Sequence, residues 1–192
     1  VPSIPEPGEG DALLVVDVQK DFLPGGALGV ADGGAVVPVL NAWIERFAAA
    51  GRPVIFTRDW HPPDHCSFRD QGGMWPAHCV AASTGAAFAD DLLVPGDAII
   101  VSKAERLDQE AYSGFEGTGL SGSLRDLGVR RIYVGGLATD YCVKATVEDA
   151  CRAGLQVVVI EAGIRAVEVR AGDGARALAA MRSAGAELLG PG

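Results

Sequence analysis

A thiol, a carboxylate and an ammonium group can together hydrolyse an amide, and this chain places one of each where an apolar run gives out. Cys142 follows the run from Ile132 to Val134, which reads as a buried strand ended by Gly135-Gly136. Thr139 and Asp140 are residue types that cap helices, which puts Cys142 in the first turn of the helix that follows. Free backbone N–H groups and the helix dipole favour a thiolate there, and the same amides can hold an oxyanion. Asp17 closes the apolar run that starts at Ala12, and Lys103 follows the run from Ala98 to Val101. In such a set Asp17 accepts the thiol proton and returns it to a leaving amine. Lys103 lowers the thiol pKa and holds Asp17, and Cys142 attacks a carbonyl to give a thioester. Taken singly, each residue has a plainer role: a small core residue, a turn former, a solvated lysine. Their convergence on strand ends favours the catalytic reading.

A second group lies just after the next apolar run. All three histidines, His61, His65 and His78, fall within eighteen positions. Asp59 and His61 sit at i and i+2, so on an extended segment they point to one side. With a histidine from the following loop they make a two-His, one-carboxylate set for zinc, iron or manganese. The alternative is a hydrogen-bonded Asp59–His61 turn with the other two histidines at the surface. Phe22, Trp60, Trp75 and Tyr112 occupy the loops after strands and could wall a pocket for a flat aromatic substrate.

These residues need a rigid frame, and the apolar periodicity supplies one. Strands are expected at 12–17, 53–57, 98–101, 131–134, 156–160 and 186–189, with helices at 35–50, 120–127, 141–153 and 172–184. Near-continuous Val/Ile runs alternating with amphipathic helices predict an α/β fold whose parallel sheet is covered on both faces. Two long segments, 58–96 and 102–119, leave the carboxyl ends of strands, where open α/β sheets bind ligands.

Composition narrows the classes. A length of 192 residues with 48% hydrophobic content suits one domain spanning 1–192, with residues 1–10 as a loose Pro/Gly-rich tail. That tail lacks the features of a signal peptide. A net charge of −9 argues against nucleic acid or an anionic membrane surface as partner, and no apolar run is long enough for a membrane span. Cys66, Cys79, Cys142 and Cys151 show no C-x-x-C spacing, so free thiols in a reducing cytoplasm are expected.

The strings VVDVQKDFLPGGAL (15–28), TRDWHPPDHCSF (57–68), WPAHCV (75–80), VSKAE (101–105), AYSGFEG (111–117) and GGLATDYCV (135–143) resemble the nicotinamidases (pyrazinamidases) of the isochorismatase-like cysteine hydrolases, from about Ala12 to Leu189. The resemblance implies a Rossmann-like three-layer fold with a six-stranded, mostly parallel sheet. It implies hydrolysis of nicotinamide to nicotinate and ammonia in NAD salvage, with similar turnover of pyrazinamide. The matching triad is Asp17, Lys103 and Cys142. A cis bond at Leu137–Ala138 and an oxyanion hole from the Ala138 and Cys142 amides are also implied. One divalent ion, zinc first, would sit on Asp59, His61 and His78 and hold the pyridine nitrogen. Phe22 and Trp75 match ring-packing positions, and Tyr112 lies near them. His65 follows His61 too closely to match the further ligand of some relatives, so it is expected outside the metal's ligands, with Ser67 as a supporting contact. Lys20 replaces a common Asn. Self-association is the family habit. The closest alternative is a carbamoyl or ureido amidohydrolase, which would not need all three metal residues. Further alternatives are a metal-hydroxide hydrolase with a structural Cys142 and a binding module without turnover.

Overall fold

A computed structural model describes residues 4–190. Six strands are connected in parallel: β1 (Asp11–Val16), β2 (Val54–Asp59), β3 (Ile99–Lys103), β4 (Arg131–Leu137), β5 (Gln156–Arg165) and β6 (Glu187–Leu189). The helices are α1 (Val36–Ala49), α2 (Leu120–Asp126), α3 (Lys144–Arg152) and α4 (Asp173–Ser183). Strand order is β3-β2-β1-β4-β5-β6, the Rossmann-like arrangement, whose winding reverses between β1 and β4 and opens a crevice at their carboxyl ends.

Alternation along each strand divides the core between two faces. Leu13 and Val15 pack with Phe56, Tyr133, Val158 and Ile160 under Leu40, Trp43, Ile44 and Phe47 of α1. Ala12, Leu14 and Val16 pack on the other face with Ile55, Ile132, Val134, Leu124 of α2, Val147 of α3 and Met181 of α4.

Several strands run further than the apolar runs suggest, and the extra residues matter. β2 continues to Asp59 and β3 to Lys103, and these two residues are partners in the ladder. β4 does not end at Gly135-Gly136 but continues through both glycines to Leu137. The glycines are there because neighbours approach closely: a Cβ on Gly136 would lie 2.0 Å from the Val16 carbonyl oxygen, and one on Gly135 would lie 2.6 Å from Leu40. β5 reaches Arg165, and its pairing with β4 shifts register between Val134 and Gly136.

Residues 4–10 are not loose. Pro7 is buried, Ile4 packs on the core, Glu6 pairs with Arg46, and the Gly8 N–H donates to Asp11. Residues 1–3 lie outside the described part. The long segment after β2 is pinned by bridges pairing His61 with Val80 and Phe68 with Trp75.

Candidate functional site

Asp17 is the first residue beyond β1 and holds a positive φ of 49°, which turns its side chain off the strand direction into the crevice. Thr57 Oγ1 donates to Asp17 Oδ1 at 2.6 Å. Lys103, fully buried at the end of β3, brings its Nζ to 2.9 Å from Asp17 Oδ2 and 3.4 Å from Cys142 Sγ. The same ammonium donates to Asp59 Oδ1 and to the Ala111 carbonyl. Asp17 Oδ2 has no hydrogen bond of good geometry despite this closeness, so it is free to meet the thiol.

Burial pushes Asp17 above the usual carboxylate range, partly offset by Lys103 and reinforced by Asp59. Burial also opposes the Lys103 charge, but Asp17, Asp59 and Cys142 together overcome it and hold the ammonium firmly protonated. For Cys142 the expected thiolate does not emerge. Burial raises the thiol well above its ordinary value, Lys103 only partly opposes this, and Asp17 and Asp59 add to the rise. The resting site therefore holds a thiol beside a carboxyl of raised pKa, two groups competing for protons.

The turn carrying Cys142 is not an ordinary capped helix start. Thr139–Val143 forms one π-helical turn before α3, and neither Thr139 nor Asp140 caps it. Such turns concentrate at functional sites. The Ala138 carbonyl accepts from Tyr141 and Val143, both at 3.1 Å, while the intervening Cys142 N–H does not donate to it. The Leu137–Ala138 bond is cis. Asp140 reaches across instead: its two oxygens accept the N–H groups of Val167 at 2.9 Å and Glu168 at 3.0 Å.

Asp59, His61 and His78 are all buried, and one donor atom from each lies within 4.8 Å of the others. His61 meets His78 because its N–H donates to the Cys79 carbonyl and its own carbonyl accepts from Ala81. His61 Nδ1 lies 3.0 Å from the His78 carbonyl, and His78 Nδ1 lies 2.8 Å from that of Pro76. A carbonyl only accepts, so each Nδ1 carries a proton, and Nε2 is the nitrogen of each ring left to face a metal. Burial, then His78 and His65, hold His61 down to about 3, so it is neutral near pH 7. Asp59 gives Oδ1 to Lys103 and keeps Oδ2 4.0 Å from His78 Nε2. Two imidazole nitrogens and a carboxylate oxygen on converging elements fit a divalent transition metal.

His65 is buried beside this group, but both its nitrogens are engaged, Nδ1 with Ser67 Oγ at 2.7 Å and Nε2 with the Gln109 carbonyl at 3.0 Å. Ser67 thus touches His65 rather than a metal donor. Lys20 lies away from the site, paired with Asp90 at 2.6 Å.

Phe22, Trp75 and Tyr112 line one recess with Tyr141, Leu28 and Val167, and Cys142, Ala138, Asp59 and His78 border it too. The room left between these side chains is small, about 30 Å³, below the usual range of small-ligand sites. Trp75 Nε1 donates to the Tyr112 hydroxyl at 3.0 Å, and the Trp75 ring meets Tyr141 edge-on at 5.1 Å. Trp60 is not a wall: the Arg58 guanidinium stacks on it at 3.6 Å.

Three contributors escaped sequence reasoning. Gln19 is fully buried, donates to the Asp59 and Ala86 carbonyls at 2.8 and 2.9 Å, and accepts the Asp59 N–H at 2.8 Å. It ties the backbone of Asp59 to the turn after β1, and within the polar stretch Gln19-Lys20-Asp21 no signal of type or spacing set it apart. Asp140 read as a local cap, and Tyr141 beside Cys142 had no periodicity to distinguish it.

The isochorismatase domain family matches residues 11–190. The nicotinamidase of Escherichia coli (strain K12) is 40% identical over 198 residues, covering 92% of this chain and 93% of that protein. The crystal structure of a Pyrococcus horikoshii pyrazinamidase in complex with zinc superposes with a TM-score of 0.90 at 46% identity, covering 94% of this chain and 98% of that one. PnC1 from L. infantum in complex with nicotinate gives 0.88 at 36%, with 94% and 92% covered.

Proposed function

The chain belongs to the isochorismatase family and is a hydrolase acting on an amide, and from that premise we propose that it converts nicotinamide to nicotinate and ammonia, with pyrazinamide as a second substrate. One arrangement carries this reading. A narrow aromatic recess is bordered by the Cys142 thiol, with Asp17 and Lys103 beside it, and by Asp59 and His78 of the three metal donors. The spacing suits a small heteroaromatic amide held by its ring nitrogen and presented by its carbonyl. The nicotinamidase from Escherichia coli and the nicotinate complex from L. infantum support the same substrate class.

Asp17 takes the proton of the Cys142 thiol as sulfur attacks the amide carbon, which offsets the cost of a buried thiolate by making it transient. The oxygen of the tetrahedral intermediate lies against the Ala138 and Cys142 N–H groups. Asp17 then returns the proton to the departing nitrogen, the C–N bond breaks, ammonia leaves, and a thioester remains on Cys142. Water deprotonated by Asp17 attacks the thioester, and the acid leaves as the thiol recovers its proton. Lys103 stays charged throughout, opposes the negative charge on sulfur and fixes Asp17. A divalent ion held by Asp59, His61 and His78, zinc in this reading, would supply a Lewis acid for the ring nitrogen. Phe22, Trp75 and Tyr112 hold the ring so that its amide faces sulfur.

The four cysteines are unpaired, in keeping with a reducing cytoplasm, where the proposed reaction would serve NAD salvage. Among the described residues no helix is long and apolar enough to cross a membrane. The test is ammonia release from nicotinamide by the metal-loaded protein beside its Cys142→Ala variant. Release by the first alone is expected. No release by either, while carbamoyl or ureido substrates are turned over, would contradict the substrate; release by both would contradict the nucleophile.

A further inference from the structure

The metal donors carry an electrostatic deficit. Lys103 donates to Asp59 and lies against Asp17, so it already neutralises one of the two carboxylates that face it. A divalent ion on Asp59, His61 and His78 would therefore meet two neutral imidazoles and one net uncompensated carboxylate. One positive charge would remain in a buried, largely aromatic recess, where unbalanced charge is costly.

One carboxylate within reach has no assigned task. Glu110 borders the same recess as Asp59 and His78, and one of its oxygens lies within 4.8 Å of donor nitrogens of both His61 and His65. Its Oε1 accepts the N–H of Ala111 at 3.1 Å, and Oε2 has no hydrogen-bond partner among the described residues. His65 has no lone pair to offer an ion. Its Nδ1 accepts the Ser67 N–H at 3.3 Å, so by this network its Nε2 carries the proton and donates it to the Gln109 carbonyl. That bond fixes the backbone immediately before Glu110.

We propose that Glu110 is the fourth protein group of the metal site, supplying the negative charge that Asp59 shares with Lys103, and that His65 is the positioning residue holding it there through the Gln109 carbonyl. The proposal rests on the reading that Asp59, His61 and His78 hold the ion, and its test separates the two. Zinc affinity is measured by competition with a chromophoric chelator on metal-free protein, for wild type, Glu110→Gln, His65→Leu, Glu110→Gln with His65→Leu, and His78→Ala. Glu110→Gln keeps the shape and removes the charge, and the Glu110 side chain bonds only to its neighbour's amide, so folding is not at stake. The expected result is loss of tight binding in His78→Ala and a weakening of about tenfold to a hundredfold in Glu110→Gln. A smaller weakening is expected in His65→Leu, with the double variant no worse than Glu110→Gln alone. Glu110→Gln within twofold of wild type, with binding lost in His78→Ala, overturns the proposal and leaves the three-residue site standing. Undiminished binding in His78→Ala overturns the three-residue site, and this proposal with it.

Discussion

The middle of the sheet and its carboxyl edge are built on opposite principles. In the middle, Leu13, Leu14, Phe47, Phe56 and Ile132 are fully buried among other apolar side chains, and each is backed by neighbours of the same kind. At the edge, a few residues further along the same strands, Asp17, Asp59 and Lys103 are just as buried and wholly charged or polar. There every group depends on a particular partner: Thr57 on Asp17, Lys103 on two carboxylates, Gln19 on the backbone of Asp59. Positive φ values gather there as well, at Asp17, Cys79 and Ala104. Packing in the middle specifies the fold by summation, and the edge spends that stability on a site no single residue could form.

This contrast predicts that activity and stability separate by region. The largest effect is expected from Cys142→Ala, with turnover falling by about 10⁴ or more while the unfolding midpoint holds or rises, since no buried partner is orphaned. Lys103→Met should slow turnover by about 10³ and shift the acid limb of kcat/KM to higher pH, because the charge that lowers Asp17 is gone. An unmoved limb would contradict the placing of Lys103 beside Asp17. Phe47→Ala in α1 should do the reverse, costing about 3–5 kcal/mol of unfolding free energy with kcat/KM per folded molecule unchanged. Chemical denaturation and active-site titration together check both halves. The smallest effect is expected from Asp140→Asn, which removes the charge from the strap to Val167 and Glu168. Loss of about 1.5 kcal/mol there should raise KM about tenfold and change kcat less, because Val167 is a wall and not a reacting group.

The pH dependence divides the same way. Asp17 has a folded-state pKa above its unfolded value of about 3.9. Its linkage contribution thus favours folding below that value and is lost as pH rises through the raised pKa. In the proposed mechanism activity runs in the opposite direction, since there Asp17 accepts the thiol proton only when ionised. Turnover should fall as pH drops through the raised pKa, while the Asp17 contribution to stability grows. With Cys142 coupled to Asp17, the profile reports the pair.

The apolar runs made the middle of the sheet readable, and with it the fact that Asp17, Lys103 and Cys142 sit at strand ends. They also gave the approximate place of every strand and helix, with ends short by two to five residues at β2, β3, β4 and β5. Those shortfalls share one cause: the strands continue into polar or glycine residues whose burial depends on partners far away in sequence. Local rules failed at the edge for the same reason. Thr139 and Asp140 have cap chemistry, but Asp140 finds better donors at Val167 and Glu168. The helix start was expected to favour a thiolate, but full burial near two carboxylates raises the thiol and outweighs Lys103. Trp60 and Tyr141 exchange roles as pocket walls, because stacking by Arg58 turns one away and the π-helical turn presents the other.

The central claim is that Cys142 carries the acyl group, and mass spectrometry of the protein quenched in acid during nicotinamide turnover tests it directly. The account predicts a transient gain of one nicotinoyl group, confined to the peptide bearing Cys142 and absent in Cys142→Ala. Ammonia released at the wild-type rate by Cys142→Ala, with no acylated protein at any time, would contradict it.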